Sequence, residues 1–529
     1  MLYLDKYHDP RKNKQLIDKI SAGKPDIQEA VAHTEYLFQN LNKGGRDIVR
    51  KKSISSSLWQ IFHRMPSFFL AKRSRRNLQE SSTQVDALGN VYPSWKPILD
   101  EEYAHLLSVA ANEVNVKDFG AVGDGLTDDT EAFKKAIGSG RVIVRIPEGT
   151  FMTKEIRLPS WTCLIGEGKG KTILRLHDKA AKSSQLVTNL SHWKGNRNIL
   201  VKGMTLDWNV ERLGNVPKTA AGNNLSSCLL FANVTFGWVK DVEAINPGLH
   251  CFDVSSTIYN YSGDGYRARG GSNYIWLDGL NGYGFGDDGV TTHHSDNILI
   301  SNCHMCDPSG RSHKKGFSNS NGFEADDGSR NVWLVNNSST RCFGGVEIKA
   351  HHNSSAASNV HIIGHLSIND NRSFNFRHIG HHKSTDPVSR TAFDIQATNL
   401  ISVAPVYSEL YVGSKPRALV VSAYRNVVIN HFTAIGDPDY DYGREPVMAI
   451  QYRSRNVVFD NISVSNFRTA GADVKVFGGD NCADWVAVRN LTVRDSARQA
   501  VQIGKGVKQA RVGKVLALGE RHTPDRKRG

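Results

Sequence analysis

Asn297-Ile298-Leu299-Ile300, Asn331-Val332-Trp333-Leu334-Val335 and Asn359-Val360-His361-Ile362-Ile363 repeat one pattern, an asparagine followed by a short, largely apolar, β-branched run. The pattern extends outward in both directions. Asn198-Ile199-Leu200-Val201 and Asn273-Tyr274-Ile275-Trp276-Leu277 precede it, and Asn399-Leu400-Ile401, Asn426-Val427-Val428-Ile429 and Asn456-Val457-Val458-Phe459 follow. From Asn273 onward the spacings are 24, 34, 28, 40, 27 and 30 residues. Strand-only units at such periods mean a solenoid, because one coil cannot bury its own apolar face and stacked coils can. The reading predicts an all-β β-helix, with the asparagines stacked at a bend and their amides bonded along the stack.

A second strand series falls between these runs. Gly286-Asp287-Asp288-Gly289-Val290-Thr291-Thr292-His293-His294 is followed by Gly322-Phe323-Glu324-Ala325-Asp326-Asp327-Gly328 and Gly345-Val346-Glu347-Ile348-Lys349-Ala350-His351-His352. Read as strands with side chains alternating between faces, they turn their apolar residues inward. Outward they present Thr291 and His293, then Glu324 and Asp326, then Glu347 and Lys349, a polar ladder on the outer surface. Ser373-Phe374-Asn375-Phe376-Arg377 and Phe393-Asp394-Ile395-Gln396 extend it, and Phe252-Asp253-Val254-Ser255 precedes it. A solvated strand face is ordinarily polar, but acid and base crowded only at mid-helix exceed what solvation needs.

Neighbouring coils lie about 4.8 Å apart, so their carboxylates can reach the separation used in glycoside hydrolysis. Such crowding pushes one carboxyl up in pKa beside an ionised partner. The candidate catalytic residues are therefore Glu324, Asp326 and Glu347, with Asp287 and Asp288 in the turn before the ladder, where a structural role competes. His293, Lys349, Arg377, Asn375, Asp394 and His351 are the candidate substrate-binding residues, suited to an anionic substrate. The loops 307–316 and 378–387, rich in His, Lys and Arg, flank the ladder and suit the same partner.

The 529 residues carry a net charge of +14, with 39% hydrophobic and 22% charged residues, a composition of globular proteins that favours anionic partners. The excess is concentrated in Arg50-Lys51-Lys52, Lys72-Arg73-Ser74-Arg75-Arg76 and the tail from Arg521 to Arg528. No run of about 18 apolar residues is present to span a membrane. The first residues lack the basic-then-apolar build of a secretory signal, so release by lysis or retention in the cytoplasm is expected. Seven scattered cysteines imply no disulfide framework, and Cys303-His304-Met305-Cys306 has no second pair at zinc-site spacing, so no metal ligand set is read. Residues 1–80 read as a helical, basic N-terminal adapter, with helical periodicity over Asp26 to Phe38 and aromatic residues in 58–70 that suit packing within a larger assembly. The composition of 81–112 reads as a linker or neck, and 506–529 as a basic tail.

Val114-Asn115-Val116-Lys117-Asp118-Phe119-Gly120-Ala121-Val122-Gly123-Asp124-Gly125-Leu126-Thr127-Asp128-Asp129-Thr130, running into Glu131-Ala132-Phe133-Lys134-Lys135-Ala136-Ile137, is a strand, a glycine turn and a capped amphipathic helix. This phrase resembles the opening of pectin-lyase-like right-handed parallel β-helix proteins, and the resemblance covers 113–505. The mid-chain stretch further resembles the depolymerase domains of phage tail appendages and tailspikes, and Val85 to Ser94 with Leu99-Asp100 resembles a segment upstream of the working domain in phage tail and baseplate proteins. Asp287-Asp288 and Glu347-Ile348-Lys349 resemble two motifs of polygalacturonase-like enzymes, but no Gly-His-Gly stands between them, which argues against pectin as substrate.

The resemblance implies a tail-associated homotrimer that binds and hydrolyses a capsular polysaccharide or wall teichoic acid. It implies contacts to virion tail or baseplate proteins through the N-terminal segment. No organic cofactor is implied, and a divalent cation is compatible with it. Two alternatives stay open: a β-elimination lyase or epimerase on the same fold, and a non-catalytic receptor-binding spike. Nucleic acid is not an expected partner, because a β-helix offers no groove reader.

Overall fold

The computed structural model describes residues 2–50 (side chains to 41), 81–257, 259, 270–379 and 392–519. The basic stretch 51–80, most of the 378–387 loop and the tail from 520 lie outside the described residues.

The chain winds into a parallel β-helix. Each coil gives one strand to a 12-stranded parallel sheet. The rest of the coil is a longer strand bent across the other two faces. Asn196–Asp207, for example, pairs with Thr162–Gly166 in its first half and Thr172–Leu176 in its second. The bend needs a left-handed residue, supplied by Gly203, Asp241, Gly279, Asn302, Asn336, Gly364, Asn399, His431 and Asn461 in successive coils, all at φ between 50° and 70°. Inside, one apolar column runs from Val116 to Ala497. This stack holds because each coil covers the apolar face of the next.

The asparagine stack forms at the other bend. Asn297 Nδ2 donates to Asn273 Oδ1 (2.9 Å), Asn331 to Asn297 (3.0 Å) and Asn359 to Asn331 (2.8 Å). Asn tolerates the left-handed backbone that the bend demands and bonds along the stack at the same time. Asn399 is not part of it. The stack position in that coil is Asp394, at φ 68°, which accepts from Asn426 Nδ2 at 2.9 Å. The strand Phe393–Val403 therefore belongs to the long-strand faces, pairing Gln396 with His361. This corrects the expected place of Asp394: it is a bend residue in another sheet and takes no part in the polar ladder.

The N-terminal helices lie along the solenoid. Helix α1 (Asn13–Ile20) seats Ile17 against Leu366 and Ile401, and α2 (Ile27–Arg50) bonds Thr34 Oγ1 to Thr398 Oγ1 at 2.7 Å. The region read as a neck is a hairpin, Thr83–Val85 with Val91–Pro93, followed by α3 (Lys96–Val109). Its buried Trp95, Leu99 and Leu106 pack on Leu200, Trp238 and Trp333. Polar composition misled there because a few large apolar residues suffice to dock a short element. In the opening phrase, Asp129 precedes helix α4 (Thr130–Ile137) without a side-chain cap bond to it and accepts instead from Val122 N and Gly123 N. Asp124 accepts from Leu126 N and Thr127 N and Asp128 from Thr130 N, so these aspartates brace the turn into the helix. No described helix is long and apolar enough to cross a membrane. Six cysteines are buried, and all seven are free thiols.

Candidate active site

Six consecutive strands of the 12-stranded sheet carry the site: β1 (Phe252–Ser255), β2 (Val290–Thr292), β3 (Asn321–Ala325), β4 (Gly344–Ala350), β5 (Arg372–His378) and β6 (Arg417–Ser422). Their inward residues, such as Val254, Phe323, Val346 and Ile348, enter the apolar column and set the register. That register aligns Asp253, Thr291, Glu324, Glu347 and Asn375 in one row. Lys349 and Arg377 pair in the next row. The predicted ladder is therefore formed, except that its continuation is Val420 and Ser422 of β6.

The ladder is not on an open surface. Glu324, Asp326 and Glu347 are 2%, 1% and 0% exposed. Part of the cover is described. Asn224 Nδ2 reaches Asp253 Oδ1 (3.1 Å) and Ser255 Oγ (2.9 Å) from an earlier loop. Tyr259 lays its ring 3.9 Å from that of His293 and donates its hydroxyl to Asp327 Oδ2 at 2.8 Å. The loop 307–318 hangs from the turn at Gly286 through Ser312 Oγ (2.7 Å). Alternation along a strand tells which face a residue takes; loops arriving from distant coils decide whether that face sees water. More open are His351 and Arg377, with 27% and 18% of their side chains exposed.

Charge inside the site is organised by two cations. Lys349 Nζ lies 2.7 Å from Glu324 Oε2 and 3.8 Å from Asp326 Oδ2. Burial works against its charge, but Glu324 and Asp326 outweigh it and hold the ammonium well above its usual pKa. Arg377 Nε donates to Glu347 Oε1, which also accepts from Asn375 Nδ2 at 3.2 Å. Burial likewise opposes the Arg377 charge, and Glu347 raises its pKa.

The carboxyls divide by what they still have to offer. Glu324 accepts from Thr291 Oγ1 (3.2 Å), Asn321 Nδ2 (2.8 Å) and Lys349. Burial alone would raise its pKa, but Lys349 outweighs it and keeps the carboxylate ionised. Asp326 has neither oxygen hydrogen-bonded among the described residues. Burial and the charge of Asp327 push its pKa well above the usual carboxylate value. Asp327 is opposed by burial yet held low by His351, whose Nδ1 is 3.0 Å away. Glu347 keeps Oε2 uncommitted. Thus one carboxyl with a raised pKa and one partly free carboxyl sit diagonally on adjacent coils. From strand spacing and rise their side chains start about 8 Å apart, within the range of an acid and a base flanking a bond.

His293 lies between Asp253 Oδ1 (3.7 Å) and Asp326 Oδ2 (3.6 Å) and is 3% exposed, so it connects buried carboxyls and does not face solvent. Asp287 and Asp288 sit in the turn before β2 together with His250, which precedes β1. His250 Nδ1 bonds Asp253 Oδ2 at 3.0 Å, and its Nε2 faces Asp287 Oδ2 (3.7 Å) and Asp288 Oδ2 (3.6 Å). Burial with the charges of Asp287 and Glu324 raises Asp288, while Asp287 is held low against burial by His313 and His250. Among the described residues, three groups could hold a metal: His250–Asp287–Asp288, His293–Glu324–Asp326 and Asp326–Asp327–His351. His250, His313, Tyr259 and Asp327 were not among the sequence candidates. Aligning coils rather than strands would have found His250, since Phe252 pairs with Val290 and so His250 shares a rung with Asp288.

Residues 113–347 match the family model described as rhamnogalacturonase A/epimerase, pectate lyase-like. The chain is 49% identical over 453 residues to the putative phage-related protein YobO of Bacillus subtilis strain 168, covering 86% of this chain and 56% of that protein. It is 41% identical over 413 residues to the pre-neck appendage protein of Bacillus phage phi29, covering 77% and 47%. The crystal structure of pre-mature phi29 gene product 12 superposes with a TM-score of 0.73 at 41% identity, over 78% of this chain and 53% of that one. The chain thus spans about half the length of the curated relatives it matches. With this register, this opening phrase and these relatives, the chain is a pectin-lyase-like right-handed parallel β-helix protein whose close homologues are phage pre-neck appendage proteins.

Proposed function

We propose that this chain is the polymer-cleaving part of a phage tail appendage, hydrolysing an anionic cell-envelope glycopolymer such as a capsular polysaccharide or wall teichoic acid. The observation that carries the reading is the pairing of Asp326, whose two oxygens are buried without hydrogen bonds among the described residues and whose pKa is raised, with a Glu347 that keeps one oxygen free, inside a site held together by Lys349 and Arg377. In this scheme Asp326 gives its proton to the leaving oxygen as the bond to it breaks. Glu347 Oε2 takes a proton from the water that adds to the other fragment. Lys349 and Arg377 offset the charge of an acidic polymer, and the half-open Arg377 and His351 mark where it would meet the protein. Attachment to a virion tail, and assembly as a homotrimer, belong to the same proposal and draw on the pre-neck appendage homologues.

The near-complete burial of Asp326 and Glu347 favours a second reading, a receptor-binding spike that holds the polymer without cutting it. Purified protein incubated with wall teichoic acid and a panel of acidic capsular polysaccharides separates the two. Shortened polymer, lost in Asp326→Asn and Glu347→Gln, supports the hydrolase. Shortening accompanied by new ultraviolet absorbance moves the assignment to β-elimination. Binding without shortening by any protein leaves the spike.

A further inference from the structure

Beside the acid/base pair lies a cluster with separate chemistry. His250 is 3% exposed and its ring is oriented by Asp253, which takes Nδ1 at 3.0 Å. Nε2 is thereby aimed at Asp287 Oδ2 and Asp288 Oδ2, at 3.7 and 3.6 Å, too long for a hydrogen bond to either. Asp288 has its other oxygen occupied by the backbone and side-chain amides of Asn321, both at 3.0 Å, which leaves Oδ2 turned to the same point. Asp287, 7% exposed, has Oδ1 buried with no hydrogen-bond partner among the described residues. From the loop above, His313 Nε2 stands 3.0 Å from Asp287 Oδ2.

We infer that His250, Asp287 and Asp288 form a binding site for a divalent transition-metal cation, and that His313, 3.0 Å from Asp287, closes in as the fourth ligand when the ion binds. Two observations carry this beyond a group of acids. The spacing of His250 Nε2 from the two carboxylate oxygens, 3.7 and 3.6 Å, is near that of ligand atoms around a shared ion: bonds of about 2.1 Å in a tetrahedral site put ligands about 3.4 Å apart. The carboxylate behind His250 is the arrangement that orients a metal-binding imidazole and keeps its far nitrogen free for the ion. Two imidazoles with two carboxylates favour Zn²⁺ over Ca²⁺ and Mg²⁺, which prefer all-oxygen shells, and over Mn²⁺, which binds most weakly in the first-row divalent series. Ser312 and Ser318, both bonded to Gly286 O, hold the His313 loop over the turn, so the fourth ligand arrives from a loop fixed at its base.

The consequence for the polymer rests on the proposed function; the binding itself does not. Asn321 Nδ2 bridges Asp288 Oδ1 (3.0 Å) and Glu324 Oε2 (2.8 Å), so the ion would sit one side chain from the ladder and add positive charge for a phosphate or uronate.

The test is calorimetric titration of chelator-treated, full-length protein with Zn²⁺ and with Mn²⁺. A Co²⁺ titration followed by visible absorption reports the ligand geometry. One ion per chain is expected, with affinity falling tenfold or more in His313→Gln and further in Asp287→Asn. Asp253→Asn, which leaves the ligand set intact but frees the His250 ring, should lose affinity by an intermediate factor. Thermal unfolding of each variant without metal shows whether it is folded, and the partly exposed His313 keeps the test meaningful if the buried variants are not. No stoichiometric binding by the parent protein, or binding unchanged in His313→Gln and Asp287→Asn, overturns the site. Tight binding with no polymer cleavage under any condition rejects the proposed function and leaves the site standing.

Discussion

Lys349 Nζ on one coil lies 2.7 Å from Glu324 Oε2 on the coil before it, with 7% and 2% of the two side chains exposed. Such a pair contributes little over an apolar pair of the same shape, but removing one partner strands the other. Lys349→Met is therefore expected to cost about 3–5 kcal/mol, because Glu324 is left charged in a dry site. The sign with pH follows from the lowered pKa of Glu324. In the parent protein its contribution is present above the unfolded carboxylate pKa and fades as pH falls through the folded one. The variant lacks that contribution, so its deficit should shrink in acid. Denaturant unfolding of both proteins at about pH 7 and about pH 4 checks this, the lower value lying near the ordinary glutamate pKa. An equal deficit at both values would show that Glu324 is not the group affected.

The raised pKa of Asp326 makes a prediction about catalysis. As the proton donor it is active while protonated, so cleavage should persist above the usual carboxylate range and fall as pH rises through its own pKa. Asp326→Asn keeps the shape, cannot give up the proton, and should lower the rate by about 10²–10⁴-fold with that falling limb absent. The pH profile of polymer shortening for the two proteins is the measurement. An unchanged falling limb in Asp326→Asn would transfer the role to another group, with Asp288 the next candidate because burial, Asp287 and Glu324 raise it too.

How far the chain could be read without coordinates follows from which forces act locally. Alternation along β2, β3 and β4 placed Thr291, Glu324 and Glu347 in one row, because a strand's period of two is intrinsic to its backbone. Asp394 was misplaced because spacing alone did not reveal that its strand opens the long faces; the left-handed φ at the bend decides that. The burial of the ladder and the approach of His313 and Tyr259 were not legible. They depend on loops returning from other coils, and no pattern within one strand encodes them. For the same reason His250 went unnoticed, being polar in a turn until the stacking sets it over Asp288.

The asparagine stack should be structural and additive along its length. Asn331 donates to Asn297, accepts from Asn359 and sits at φ 57°. Asn331→Gly keeps the left-handed backbone and loses the amide bonds, an expected cost of about 1–2 kcal/mol at about 1 kcal/mol per bond. Asn331→Val adds the left-handed strain of a branched residue, about 1–2 kcal/mol more. Urea unfolding of the three proteins gives both differences, and equal stability of the Gly and Val variants would mean that the bend relaxes.

The N-terminal segment makes the last prediction, since it behaves as a strap along the solenoid and not as a free adapter over its described part. Asn13, 0% exposed, donates its amide to Cys303 O and Asn336 O, both at 3.0 Å, at the bend between two coils. Its carbonyl accepts from Ser338 Oγ (2.9 Å) and His8 Nε2 (2.8 Å). Arg11, itself half-exposed, adds ion pairs to the exposed Asp241 (2.7 Å) and to the buried Asp278 (2.8 Å), whose other oxygen is already held by Ser301 and Asn302, so the pairs contribute little. Asn13→Ala removes the amide donor to Asn336 O and the acceptor of Ser338 Oγ, while Cys303 O keeps the amide of Ser338, at about 1–3 kcal/mol for each group left unsatisfied. The expected result is a loss of about 2–4 kcal/mol, with proteolysis starting within residues 1–22 while the solenoid stays intact. Arg11→Ala should change stability by less than about 1 kcal/mol. Limited proteolysis followed by mass spectrometry, beside thermal unfolding, reads both. If Asn13→Ala and Arg11→Ala behave alike, the strap is held by its apolar contacts through Ile17 and not by the polar plug at the bend.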